Sequence, residues 1–165
     1  MTNKIGLGGG CHWCTEAVYL SLKGVLSVAQ GWIASDGANS SFSEAVIVTY
    51  DTDVISTQVL IAVHLHTHSA TSIHSMRGKY RSAIYYFSSK DKDMALSALQ
   101  RLQHEFDRPI ITEVLPFIDF RLNVAEQLNY YYTDPTRPFC KNYIDPKLKI
   151  LLEKFGDNVD ERKMW

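Results

Sequence analysis

The chain has 165 residues, of which 45% are hydrophobic, so it can bury one real core but has no room for a second full domain. Its 17 basic and 18 acidic residues leave a formal charge of -1, which gives no global field to draw nucleic acid or an anionic membrane. No apolar run approaches the ~20 residues of a membrane helix, no signal-peptide pattern precedes the first motif, and three cysteines are an odd number for a disulfide framework. A single domain over 1–165, monomeric and cytoplasmic, is the expectation, with neither nucleic acid nor membrane as partner.

The first element is a short strand, Ile5 to Leu7, which runs into Gly8-Gly9-Gly10 and then into a helical pattern with Trp13, Ala17 and Leu20 on one face. The glycines read as a strand-to-helix turn. Such a turn sets Cys11 at or just before the first helical residue, where unpaired N–H groups and the positive end of the macrodipole favour an anion. A thiolate is the anion on offer, and thiols so placed ionise below the usual value of about 8.5. Cys14, one helical turn on, is near enough for a reversible Cys11–Cys14 disulfide. The same residues also suit a glycine loop with two small buried side chains, or half a zinc site.

Val25 to Gly31 alternates as a strand does. Ser35 to Ser41 has loop composition, and Glu44 to Tyr50 is a β-branched, nearly continuous apolar run of the kind found in central strands, with Glu44 at its start. Asp51 to Ser56 supplies a stop and a cap for a helix carrying Val59, Leu60 and Val63, which leads into His64, His66, His68 and His74. Ser82 to Phe87 is a further strand. Ser89 can cap a helix with the stripe Ala95, Ala98, Leu99, Leu102 and Phe106, and Ile110 to Leu115 is a strand stopped by Pro116. A helix is expected over Val124 to Tyr132 and another from Pro146 to Phe155, closed by Gly156, with a frayed tail over 157–165. The order β-α-β-β-α-β with an extra α-β predicts an α+β fold: a two-layer sandwich with a mixed or antiparallel sheet, related to the ferredoxin-like arrangement, with a C-terminal helical extension.

Several of these stretches in this order resemble one known family, the peptide methionine sulfoxide reductases of the A type. Gly10-Cys11-His12-Trp13-Cys14 is similar to the family's Gly-Cys-Phe-Trp motif, and Leu22-Lys23-Gly24-Val25 to its post-helix turn. Glu44-Ala45-Val46 resembles the strand that bears its acidic residue. Tyr80-Arg81-Ser82 resembles its Tyr-Arg-Ser strand, and Pro138-Phe139-Cys140 with Pro146-Lys147-Leu148 resembles the end of many members. The likeness runs from about Gly8 to Phe155.

The resemblance implies a reaction and roles for residues. The Cys11 thiolate attacks the sulfur of a methionine sulfoxide, free or in a peptide and of the S epimer, while Glu44 gives a proton to the departing oxygen and Tyr80 holds that oxygen by a hydrogen bond. Cys11 is left as a sulfenic acid. Trp13 packs on the substrate methyl group, with His12 and Trp32 as further substrate contacts. Cys14 resolves the sulfenic acid, with Cys140 as a possible second resolving thiol. Thioredoxin or a similar external dithiol then reduces the disulfide, and no bound cofactor or metal is implied.

Departures from the family pattern gather in the pocket. His12 stands where the family has Phe, Trp32 where it has Tyr, Ser75 or His74 where it has Asp, and Asn129-Tyr130 where it has His-Gln. His12 can be read two ways: as a cation it would lower the Cys11 pKa, although neighbours in a helix do not face one another, and as a neutral ring it can replace the aromatic wall. His64, His66 and His68 could suggest zinc together with the cysteines, yet no second cysteine pair completes a site. Arg77, Lys79 and Arg81 read as a solvated basic face or an anchor for a substrate's backbone. Two other classes of function remain open: a thiol–disulfide oxidoreductase or metal-binding module, and a non-catalytic relative.

Overall fold

The computed structural model describes residues 1–73 and 75–164, with only the backbone described at Ser75. A six-stranded mixed sheet carries the fold: β1 (Thr2–Gly8), β2 (Val25–Ala34), β3 (Ser43–Asp51), β4 (Ala83–Tyr86), β5 (Glu113–Pro116) and β6 (Asp119–Leu122). Their order across the sheet is β5-β4-β1-β3-β2-β6. All neighbours are antiparallel except β4 and β5, whose parallel register is reached through the helical crossover between them.

The helices are α1 (His12–Leu20), α2 (Thr57–Thr67), α3 (Ser89–Leu102), α4 (Tyr130–Thr133), α5 (Asp145–Phe155) and α6 (Glu161–Met164). Alternation along the strands sorts residues between two faces. Ile5 and Leu7 of β1 and Val46, Val48 and Tyr50 of β3 join Ala17, Val18, Leu60, Val63, Ala95, Leu102 and Leu151 in the main core. The opposite face holds a smaller cluster of Ile33, Ala45, Ala83, Tyr85 and Leu115. The expected α+β sandwich with a C-terminal helical extension is therefore the observed architecture.

Glu44 shares the parity of Val46, Val48 and Tyr50. Its carboxyl is thereby turned toward the helices, and β3 delivers it to the same side of the sheet as the first turn of α1. Trp32 on β2 is its cross-strand partner.

Four expectations change. The helix expected over Val124 to Tyr132 breaks into a short turn at Ala125–Gln127 and α4, because Asn129 takes the left-handed conformation between them at φ 53°. Strand β6 is formed by a segment with no strand signal; β2 recruits it by backbone pairing at Gly31–Leu122 through Ala34–Asp119. The tail is held over its described length: Val159 bridges Leu22, Asp160 N–H donates to the Ser21 carbonyl, and Lys163 Nζ donates to the carbonyls of Leu22 and Val25. Backbone hydrogen bonds to distant partners do this, and local composition does not register them. Ser88 rather than Ser89 caps α3, with its hydroxyl accepting from Asp91 N–H.

Candidate functional site

Strand β1 ends against α2, and Gly9 makes the exit possible. Its φ is +151°, and a Cβ there would lie 2.4 Å from the His68 ring. Only glycine combines that backbone with that approach. The chain then reaches Cys11, which caps α1: its carbonyl accepts the N–H groups of Cys14 at 3.1 Å and Thr15 at 3.2 Å.

All three cysteines are free thiols. Cys11 is half-buried and Cys14 is 2% exposed, and the two are hydrogen-bonded to each other. That bond, then burial and the charge of Cys14, pushes Cys11 up, against the lowering pull of the Trp13 backbone N–H. The same bond draws Cys14 down, aided by the Lys147 ammonium. The pair thus gives up one proton readily and keeps the other. The helix mouth does not ionise Cys11 alone, as its position suggested; one negative charge is shared across two sulfurs, and Cys11 is the more open of them.

Glu44 is 5% exposed. Its Oε1 accepts the His12 backbone N–H at 3.2 Å and lies 3.4 Å from His12 Nε2, while Oε2 lies 3.5 Å from Lys79 Nζ. Its charge acts on both thiols and opposes their ionisation. The Lys79 ammonium is held above its usual value by a hydrogen bond to Tyr80, then by Glu44, and it stands 5.1 Å above the Tyr80 ring. Lys79 therefore links the two groups expected to handle the sulfoxide oxygen. Arg77 and Arg81, by contrast, are engaged with backbone carbonyls: Arg77 with Gly9, Tyr80 and Ser72, and Arg81 with Ile33 and Ser41.

His12 is not the aromatic wall that its sequence position suggested. It is 4% exposed, bonded through Nδ1 to the Gly31 carbonyl at 2.8 Å, and packed edge-on to Trp32 at 5.1 Å. Two departures from the family pattern thus meet. Trp13 has one ring face covered by Tyr130, stacked at 4.0 Å and 6°, with Phe139 edge-on at 5.3 Å. Tyr130 in turn lies under the Arg137 guanidinium at 4.2 Å.

A cavity of about 810 Å³ opens beside the thiols, and Cys11, Cys14, Met76, Tyr80, Phe139, Tyr143, Lys147 and Ile150 are among its walls. It holds room for a side chain of a peptide with its flanking backbone. Glu44, His12, Trp13 and Trp32 are not among the described residues that line it. Cys140 is fully buried, its Sγ donates to the Asp134 carbonyl at 3.6 Å, and burial pushes its thiol up.

His64 and His68 are stacked at 4.1 Å at the end of α2. His64 donates to the Gly8 carbonyl at 2.7 Å, and His68 meets Ser82 at 2.8 Å and the His64 carbonyl. Burial pushes His64 down to about 4 and holds His68 well below the usual histidine value, so both are neutral at pH 7. Among the described residues no group of three His, Cys, Asp or Glu is placed to hold a metal. His74 lies outside the described residues, and the side chain of Ser75 does too.

Glu16 carried no signal in the sequence beyond a charge inside a helix, yet it organises the site. At 2% exposure its carboxylate accepts from Gln30 Nε2 at 3.0 Å and from the backbone N–H groups of Asn129 at 2.9 Å and Tyr130 at 3.2 Å. It thereby fixes the start of α4 and the ring that covers Trp13. A thiol pair with one shared charge, a buried carboxyl on the next backbone N–H and a largely apolar cavity can carry out thiol chemistry with proton transfer on a small polar acceptor.

Comparison with known proteins gives the following. The family described as peptide methionine sulfoxide reductase matches residues 3–159. The peptide methionine sulfoxide reductase MsrA of Trichodesmium erythraeum is 32% identical over 175 residues, covering 96% of this chain and 99% of the relative. Among solved structures, Mxr1 of Saccharomyces cerevisiae in reduced form superposes with a TM-score of 0.76 at 20% identity, over 86% of this chain and 91% of that one. Mxr1 in complex with Trx2 superposes with a TM-score of 0.62 at 22% identity, over 78% and 84% of the two chains.

Proposed function

The chain belongs to the peptide methionine sulfoxide reductase family, whose reaction is the reduction of methionine sulfoxide to methionine, and we propose that in this member Cys11 is the attacking sulfur and the S epimer the substrate. The observation that carries the assignment is the position of Cys11: it caps α1, opens on the 810 Å³ cavity, and has the buried Glu44 carboxyl on the backbone N–H of its neighbour.

The thiolate forms through the Cys11–Cys14 bond, by passing the proton of Cys11 to Cys14. The sulfur of Cys11 then attacks the sulfoxide sulfur. One proton reaches the oxygen by way of Glu44, the S–O bond breaks as the bond from Cys11 to the substrate sulfur forms, and the hydroxide released adds to the Cys11 sulfur, breaking that S–S bond; the products are the thioether and a Cys11 sulfenic acid, and two electrons have moved from the cysteine to the substrate. Tyr80, on the cavity wall, donates to the oxygen as it leaves. The substrate methyl group lies toward the edge of Trp13 and Phe139, where an apolar ring edge meets sulfur favourably. Trp32 supports the site from behind, through His12.

Cys14 then attacks the sulfenic acid, water leaves, and a Cys11–Cys14 disulfide forms. Cys140 is sealed against the Asp134 carbonyl and joins in only if its segment moves, so resolution is assigned to Cys14. An external dithiol of the thioredoxin type reduces the disulfide, as the complex of Mxr1 with Trx2 suggests for a chain of the same fold. No bound cofactor is required, and we assign the chain to the cytoplasm as a monomer.

The test is dithiol-driven reduction of the two epimers measured separately. The S epimer alone should be consumed, and Cys11→Ser should abolish the reaction. An unchanged rate in Cys11→Ser would end the assignment.

A further inference from the structure

The neighbours of the Glu44 carboxyl pose a chemical problem. Its oxygens face the His12 backbone N–H at 3.2 Å and the Lys79 ammonium at 3.5 Å, and both of these are donors. Donors serve a carboxylate, and a carboxylate has no proton to give. One neighbour differs: His12 Nε2, 3.4 Å from Oε1 and shielded from water with the carboxyl.

The chemistry at the other ring nitrogen decides what Nε2 can do. Nδ1 lies 2.8 Å from the Gly31 carbonyl, which only accepts, so Nδ1 carries a hydrogen. In the neutral ring Nε2 then turns its lone pair toward Oε1 at 3.4 Å, so a proton taken up by the pair lies between the two side chains. Gly31 has a structural reason to stay fixed: a Cβ there would come within 1.9 Å of the Arg121 carbonyl on β6, so the backbone that sets the ring's orientation is pinned between strands.

We propose that His12 and Glu44 act as one proton-holding pair, in which the imidazole keeps, and returns to the carboxyl, the single proton that the departing sulfoxide oxygen takes. The proposal rests on the reductase assignment above. Its balance is simple. A cysteine thiolate, a sulfoxide and one proton give a sulfenic acid and a thioether. The pair begins with one proton and ends as carboxylate and neutral imidazole, and solvent reloads it before the next turnover. The charged and titratable groups facing the pair are Lys79 from the segment before β4, Tyr80 beside it, and the thiols of Cys11 and Cys14 on the α1 side. Trp32 on β2 closes the remaining side of the ring without a charge.

The experiment measures single-turnover thioether formation, with S-sulfoxide in excess over reduced enzyme, from pH 5.5 to 8.5 for the parent, His12→Phe and His12→Gln. Both variants should fall behind the parent by about 10²-fold at pH 8, with the sulfoxide concentration for half-maximal rate unchanged, and by less than about tenfold at pH 5.5, where protons from solvent are more abundant. His12→Gln keeps a donor near Glu44 but cannot hold an extra proton, so it separates positioning from proton storage. A loss that is the same at every pH, or full rescue by Gln, would overturn the proposal. A parent without activity would instead remove the reductase assignment beneath it.

Discussion

The two ends of the chain each bring a cysteine into the same neighbourhood, and the surroundings make them different reagents. Cys11 caps a helix, shares a proton with Cys14, opens on a cavity and has Glu44 on the next backbone N–H. Cys140 sits in a π-helical turn, fully buried, bonded to the Asp134 carbonyl oxygen and pushed up by burial. Identical side chains thus differ in access, in a proton partner and in a path for charge, which are the conditions for thiol reactivity.

The sharpest way to break this comparison is to exchange the sulfurs for oxygen one at a time. Cys11→Ser should remove all reduction, while Cys140→Ser should leave the first turnover intact; equal losses would mean that surroundings do not separate the two. Next in size is Glu44→Gln, which keeps shape but carries no transferable acidic proton, and should slow the first turnover on the order of 10²- to 10³-fold. A variant within a few-fold of the parent would release Glu44 from its role. Cys14→Ser should slow the first turnover, because Cys11 loses the thiol that takes its proton, and should slow repeated turnover with a dithiol further, since the sulfenic acid then lacks its nearest resolving thiol. Unimpaired steady-state turnover would transfer resolution to Cys140.

A smaller effect sharpens the account of how the two ends are joined. Glu16→Gln keeps one acceptor but replaces the other by a donor against the Asn129 and Tyr130 N–H groups. It should cost about 1–3 kcal/mol of unfolding free energy and loosen the Tyr130 stack on Trp13, seen as a lower Tm and changed Trp fluorescence. No change in either would mean that α4 is held by packing alone.

A last effect concerns pH and stability alone. His64, pushed down to about 4 by burial, and His68, also lowered, bind protons less readily folded than unfolded. The neutral forms are fully compatible with the fold above the unfolded value of about 6.5. As pH falls below that value the unfolded chain takes up protons first, so stability drops by up to about 1.4 kcal/mol per pH unit for each histidine, continuing toward pH 4. Thermal melts between pH 7 and 5 should show the decline, and His64→Gln should flatten it; a flat profile in the parent would mean that these rings are not buried neutral.

What the residues revealed in advance, and what they did not, follows from the range of the interactions. Cys11 was legible because glycines, a helix start and a thiol lie within a few residues of one another. Glu44 was legible as a charge at the start of an apolar strand, and strand parity settles which way it faces. His12 was misread because its partners, Gly31 and Glu44, lie on two later strands, and no local pattern records a ring nitrogen's choice of carbonyl. Glu16 and the tail failed to show for the same reason: each is held by hydrogen bonds to segments more than a hundred residues away in sequence. The pairing of the thiols is an intermediate case, since the spacing announces that they meet but not which of them holds the proton.

The most direct measurement of the central claim is therefore to trap the oxidised sulfur. Reduced enzyme carrying Cys14→Ser is given one equivalent of S-methionine sulfoxide in the presence of a sulfenic-acid-specific carbon nucleophile, and the labelled peptide is identified by mass spectrometry. The account predicts stoichiometric thioether release with the label on Cys11. Thioether release with the label on Cys140, or with no label on Cys11, would contradict it.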